Sequence, residues 1–260
     1  MQYPLEIVTG KTFARRDTSD GSPAQLPLFI ARPKDATPAR RPALLLFQEA
    51  FGVNSHIQDV CCRYAKEGYI VVSPDMYYRT GPWQTFSYQN FGESAAAREA
   101  LTEEAVLGDI RAMLDFIGTL DGAEADRVGV LGYCLGGRLT FITACSFPDR
   151  IQAAAVYYGG GITASSPQFP EPPIKKAGQI KAPIIFFFGG LDKSIPKETV
   201  EEIEQALIAA KAEHRIYFYP DAQHGFFCNE RPSFDPAIAQ DAWHRTVQFF
   251  SERLNPVAAT

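Results

Sequence analysis

The sequence predicts an α/β fold built on a mostly parallel, doubly wound sheet, with helices on both faces and an antiparallel pair at its N-terminal edge. Three observations carry this reading. Short runs at 43–47, 69–73, 127–131, 153–158, 184–188 and 215–219 are continuous in apolar residues rather than alternating, as strands buried on both faces require. Segments with helical spacing separate them, so strand and helix alternate over most of the chain. No fixed-period self-similarity runs through the sequence, which excludes solenoids and propellers.

The elements follow in chain order. Residues 5–8 and 26–30 are strand-like with the turn signal Asp20-Gly21 between them, so they are expected to pair antiparallel. Asn54 is placed to cap a helix in which Ile57, Val60, Cys61 and Tyr64 repeat at i, i+3, i+4 and i+7, and Gly68 closes it. Leu107, Ile110, Leu114 and Ile117 form a second stripe, and 138–145 a short helix after a strand. Val200, Ile203, Leu207 and Ala210 make a third stripe that opens at Pro196, a residue suited to a first turn. Trp243, Val247, Phe250 and Leu254 mark the last helix.

Two long connections, 76–92 and 159–182, interrupt this rhythm, and such loops in compact domains usually carry function or move. The first holds Tyr77, Tyr78, Trp83, Phe86, Tyr88 and Phe91, a density that suits a pocket lining. Tyr78 and Trp83, with Phe51, are candidate substrate contacts. The second, rich in Gly, Ser and Pro, reads as exposed covering. One domain is expected to span 1–260.

Composition narrows the function. The chain is 46% hydrophobic and 21% charged, with 19 Phe and 11 Tyr, enough for a large core and incompatible with a disordered or fibrous protein. Its formal net charge of −5 offers no positive field for phosphate backbones, so no nucleic-acid partner is expected. Pro4 and Glu6 stand where an export signal would carry basic and then apolar residues, and the longest uncharged stretch is broken by Gly and Pro. A soluble, cytoplasmic protein with no membrane partner is expected. Five cysteines without a C-x-x-C pair fit neither a disulfide framework nor a zinc motif, so reduced thiols and no metal are expected.

Gly132-Tyr133-Cys134-Leu135-Gly136-Gly137 directly follows one strand run and precedes a helix. It has the form of a nucleophile elbow, G-x-S-x-G with Cys for Ser. So sharp a turn strains the nucleophile's backbone and crowds the residues two before and two after it, where Gly132 and Gly136 lack a Cβ. It also sets the sulfur at a helix N-terminus, whose free N–H groups favour thiolate. A lone cysteine serves packing as readily as chemistry, so its partners must decide.

Asp192 and His224 each lie just past the carboxyl end of a strand run, the edge where open α/β sheets gather catalytic groups. They follow Cys134 in the order nucleophile, acid, histidine. His214 starts a strand at the opposite edge, while His56 and His244 sit in helices and read as surface or packing groups. Asp221 competes with Asp192 for the acid but better suits a turn. The N–H groups of Ala50 and Leu135 make a candidate oxyanion hole. Glu49 follows an apolar run, where a carboxylate must either pair with a cation or touch the thiol.

These residues sit in QEAFGVNSHIQDV, SPDMYYR, LGYCLGG, FGGLDKSIP and DAQHGF, and together the five stretches resemble the dienelactone hydrolase family, cysteine members of the α/β-hydrolase fold. The resemblance runs from the N-terminal strands to the last helix. It implies a Cys134, Asp192 and His224 triad, a Glu49 that helps to activate the thiol once substrate arrives, and an Arg79 that binds the substrate carboxylate and pairs with Glu49. It also implies a cofactor-free hydrolase of small, anionic carboxylic esters or lactones. Well-known members place a second substrate-binding arginine four residues after the histidine, whereas here Cys228 stands there and the next arginine is Arg231. Either Arg231 reaches the same anion from a longer loop, or the substrate is a different ester or lactone. The alternatives are a ligand-binding protein or receptor with little turnover, and a thiol redox sensor at Cys134 with Cys145 or Cys228 as resolver, of which Cys145 lies too far along the following helix.

Overall fold

The computed structural model describes residues 6–17, 23–34 and 40–254. Its strands are β1 (Ile7–Asp17), β2 (Pro23–Pro33), β3 (Arg41–Phe47), β4 (Ile70–Pro74), β5 (Ala123–Tyr133), β6 (Ala153–Tyr157), β7 (Ile184–Gly189) and β8 (His214–Tyr219). They form one sheet in the order β1-β2-β4-β3-β5-β6-β7-β8. Pairings β1–β2 and β2–β4 are antiparallel and the rest parallel, so the mixed sheet with its antiparallel N-terminal edge is as expected. Leu5 and the Asp20-Gly21 turn lie outside the described residues.

Every residue of β3, β4, β6 and β7 is buried, because helices cover both faces of the sheet. β8 is the far edge and only half-buried. β5 starts four residues before its apolar run, where Ala123 and Glu124 pair with Arg41 and Pro42 across a register shift. Polarity hides that extension from any search for apolar runs.

Helix α1 (Ser55–Lys66) begins where Asn54 Oδ1 accepts the Ile57 N–H at 3.2 Å, and it buries Ile57, Val60, Cys61 and Tyr64. Gly68, at φ 100°, turns the chain out of it. The 76–92 connection runs into α2 (Ala95–Glu99), a short helix without a stripe of its own. Helix α3 (Glu103–Thr119) buries Ile110, Leu114 and Ile117, and α4 (Leu135–Ser146) is buried almost all round. Pro196 is the residue just before α5 (Lys197–Ala209) rather than inside it. In α6 (Pro236–Leu254) the buried face is Ala239, Ala242, Thr246, Phe250 and Leu254, so Trp243 and Val247 flank the contact.

The 159–182 connection is not simply exposed covering. Ile162, Phe169, Ala177 and Ile180 pack down onto the core, since a loop with four apolar residues gains more by burying them. No helix among the described residues is long and apolar enough to cross a membrane.

Tyr157, fully buried at the end of β6, ties the sheet to α6 through its hydroxyl, 3.0 Å from Ala242 O and 2.6 Å from Thr246 Oγ1. Thr246 Oγ1 also bonds Ala242 O at 2.9 Å and would keep that bond in a phenylalanine variant. Tyr157→Phe is therefore expected to cost about 0.5–1.5 kcal/mol in urea unfolding, the net value of one hydrogen bond. A larger loss would mean that the hydroxyl organises more of α6 than these two contacts.

Candidate active site

The central turn is built by crowding. Between β5 and α4, Cys134 adopts φ 57° and ψ −115°, a left-handed conformation that side chains rarely adopt. A Cβ on Gly132 would stand 2.3 Å from Gly136 O, and one on Gly136 would stand 2.4 Å from Phe47 O and 2.6 Å from Gln48 O. Glycine is thus required on both sides of Cys134, as the elbow reading holds. The turn leaves the thiol half-buried and facing the carboxyl edge of the sheet.

Two more glycines bring the next pair together. A Cβ on Gly189 would meet Ala222 O at 2.4 Å, and one on Gly190 would meet Pro220 O at 2.4 Å. Without side chains there, the loops after β7 and β8 lie against each other, joined by Leu191 N–H to Ala222 O at 2.9 Å. His224 Nδ1 consequently sits 2.6 Å from Asp192 Oδ2, while Asp192 Oδ1 accepts the Ser194 N–H at 2.8 Å. Asp192 is buried and Asp221 exposed, so geometry favours the former as partner. His224 and Cys134 line the same cleft. Burial works against its charged form, but negative charge at Cys134 and the bond to Asp192 outweigh burial and push the imidazole up to about 10.

The loop after β3 supplies the opposite wall. Gln48 Oε1 accepts the Met76 N–H at 3.1 Å, and the Tyr77 hydroxyl donates to Ala50 O at 3.1 Å. Glu49 is fully buried, and its Oε1 accepts from Arg231 Nη1 at 3.1 Å and from the Tyr158 hydroxyl at 3.5 Å. Gly225 makes room for this guanidinium, since a Cβ there would strike Arg231 Nη1 at 2.2 Å.

Arg231, not Arg79, is therefore the partner of Glu49. Arg79 is held away by Asp109 in α3, a fully buried carboxylate that accepts both Nη1 at 2.7 Å and Nη2 at 2.8 Å. Arg16 Nε, 2.8 Å from the same carboxylate, adds a second cation. Tyr78 bonds Asp109 as well, and Trp83 stacks under Lys11 and donates its backbone N–H to Asp75. Neither Tyr78 nor Trp83 lines the cleft as expected from the sequence, because Asp109 and Asp75 draw that part of the loop toward β1 and α3.

A cleft of about 420 Å³ opens over the thiol, walled by Ala50, Phe51, Leu135, His224 and Arg231, all anticipated. Tyr88 and Phe91 close it from the long loop, packed on Phe51 with ring centroids 4.6 Å and 6.3 Å away. Two arginines in the lining were missed. Arg138 lies one helical turn after Cys134, a spacing that points it back toward the elbow, and its Nε and Nη2 are buried without a hydrogen bond. Arg98 arrives from α2, stacked over Phe91 at 3.9 Å, with no motif to reveal it.

Residues 26–254 match the model of the dienelactone hydrolase family. The chain belongs to that family. A Synechocystis protein named as a candidate carboxymethylenebutenolidase is 37% identical over 232 residues, covering 88% of this chain and 93% of its own. An Escherichia coli protein of the same description is 35% identical over 230 residues, covering 87% and 82%. Among solved structures, a candidate dienelactone hydrolase from Klebsiella pneumoniae superposes with a TM-score of 0.83 at 32% identity, covering 95% of this chain and 99% of that one. This dienelactone hydrolase family member is a hydrolase of the lactone and ester type.

Cys134 is among the groups that hold the His224 pKa up, so removing the thiol should lower it. In Cys134→Ala the His224 ring is expected to titrate at a lower pH than in the wild type, read from its NMR resonances. Because the folded value lies above the ordinary 6.5, the stability drawn from this pair is full below about pH 6.5 and is lost as pH rises through about 10. An unchanged titration would show that no charge at Cys134 reaches the ring.

Proposed function

We propose that this protein hydrolyses small anionic carboxylic esters or lactones without a cofactor, with Cys134 as nucleophile, His224 as acid and base, and Asp192 orienting the ring. What supports this most is the left-handed Cys134 facing a histidine whose far nitrogen is held 2.6 Å from a buried carboxylate. The thiol proton passes to His224 as the sulfur attacks the carbonyl carbon, and the negative charge that develops on oxygen is met by the N–H groups of Ala50 and Leu135. Collapse of this adduct breaks the carbon–oxygen bond, and His224 gives its proton to the departing oxygen. Water then attacks the thioester, losing a proton to His224; collapse breaks the carbon–sulfur bond and frees the carboxylic acid, and the departing sulfur takes the proton back from His224. A thiolate adduct readily expels sulfur, so activated enol esters and strained lactones suit this site better than amides. Free cysteines throughout suit a reducing compartment, which we take to be the cytoplasm.

Arg231 supplies the charge selection that the resemblance assigns to Arg79. A substrate carboxylate competes with Glu49 for its guanidinium and so frees Glu49 to act on the thiol, as that family's glutamate does. Binding of the anion then assembles the nucleophile.

Cys134→Ala is expected to abolish turnover of p-nitrophenyl esters and unsaturated lactones while leaving the fold intact; residual activity above a few per cent would reassign the nucleophile. His224→Ala should cost more rate than Asp192→Ala, and Asp221→Ala should cost little.

Esters bearing a free carboxylate should react faster than their methyl esters, chiefly in kcat. Arg231→Ala should erase that preference, worth about 1.5–3 kcal/mol for one charge-assisted hydrogen bond. Arg79→Ala should lower stability and keep the preference. Measuring kcat/KM for a matched substrate pair on both variants decides, and equal slowing of both substrates by Arg231→Ala would refute the charge role.

A further inference from the structure

Behind the wall of the cleft, the side chains of Glu49, His56 and Cys228 converge from three separate segments. Each offers one ligand atom, and these atoms all lie within 4.8 Å of one another. Glu49 and Cys228 are fully buried and His56 is 2% exposed. Two polar atoms of the cluster have no hydrogen-bond partner, Glu49 Oε2 and His56 Nε2. Folded proteins seldom leave such atoms unsatisfied, and two in one place point to a missing partner that accepts lone pairs from both.

The histidine is already set for that role. Its Nδ1 lies 3.2 Å from Asn229 Oδ1, which can only accept, so Nδ1 carries the proton and the buried Nε2 keeps its lone pair free. Metal-binding histidines are oriented in this way by a second group on the far nitrogen. Tyr133 and Phe227 pack edge-on against the ring and hold its plane.

The donor set selects the ion. One imidazole nitrogen, one sulfur and one carboxylate oxygen suit zinc and its borderline-soft neighbours, whereas magnesium and calcium require oxygen ligands throughout. At zinc's bond lengths, ligand atoms stand about 3.5 Å apart, so side-chain rotations of about an ångström close the set. Three protein ligands leave the fourth tetrahedral position to water.

We propose that Glu49, His56 and Cys228 form a binding site for a zinc-class divalent cation, with Asn229 as the positioning residue for His56. On binding, the Cys228 S–H bond breaks, a metal–sulfur bond forms and the proton passes to solvent, with no change of oxidation state. Carboxylate and thiolate bring two negative charges to the ion, one of them shared with Arg231. The site needs neither Cys134 nor His224 and shares only Glu49 with the hydrolase reading, so metal binding in Cys134→Ala protein tests it apart from turnover.

Cobalt(II) is the probe, since thiolate ligation gives it a charge-transfer absorption in the near ultraviolet. In Cys134→Ala protein, reduced and stripped of metal by a chelator, one equivalent of cobalt is expected to produce that band and one equivalent of zinc to remove it. Adding Cys228→Ser should abolish the band, as should adding His56→Gln, with circular dichroism confirming that both variants fold. Asn229 is exposed, so Asn229→Ala should leave the fold alone and weaken cobalt binding about 10–100-fold. No band in the Cys134→Ala protein overturns the proposal. A band that survives Cys228→Ser does so too, because the metal then sits on another cysteine, and unchanged affinity in Asn229→Ala removes the positioning role.

Discussion

The left-handed backbone of Cys134 is the constraint on which the site depends. A cysteine in that conformation can persist only if the structure around it fixes the turn more firmly than the residue's own preference opposes it. Here the fixing comes from close backbone approach. Gly132 packs on Gly136, Gly136 on Phe47 and Gln48, and Gly137 would place a Cβ 2.7 Å from Tyr157 O. The end of β5 is thereby clamped between β3 and β6, the two strands beside it in the sheet. The same contacts carry the peptide units of Ala50 and Leu135 to one mouth of the cleft, so the strain of one residue and the assembly of its surroundings are a single feature.

A second level of organisation is electrostatic and divides the arginines. Asp109 is buried and draws Arg16 and Arg79 onto α3, where they join the N-terminal strands to the long loop. Glu49 is equally buried and draws Arg231, which is 17% exposed and stays in the cleft wall. Each carboxylate would be costly to bury alone, and each has recruited the cation that the chain brings within reach. The consequence is a division of labour, with the Asp109 cluster serving the scaffold and the Glu49–Arg231 pair set at the cleft.

Glu49 links three systems at once, since its two oxygens face different neighbours. Oε1 is engaged by Arg231 and Tyr158, while Oε2 is buried without a hydrogen-bond partner in a carboxylate that lies beside His56 and Cys228. Beside it, burial and the Glu49 carboxylate push the Cys228 thiol up to about 12, so in the absence of a cation this sulfur behaves as a neutral, packed group. The thiol above the cleft and the thiol behind it therefore differ in environment although one loop and one carboxylate touch both neighbourhoods.

The sequence by itself determined the sheet, the elbow and the order of Cys134, Asp192 and His224, because those depend on local rules. Apolar runs mark strands buried on both faces, glycine marks backbone approach, and a motif of six residues carries its own geometry. Only the tertiary structure decided which charges meet. Arg79 against Asp109, Arg231 against Glu49, Arg98 in the cleft and His56 beside Cys228 all join segments far apart in the chain, and spacing within the sequence says nothing about them. Asp109 in particular sits inside a helical stripe, where a carboxylate ordinarily faces water. Its burial follows from β1 and the 76–92 loop folding over α3, a choice made by the packing of the whole sheet rather than by any segment alone.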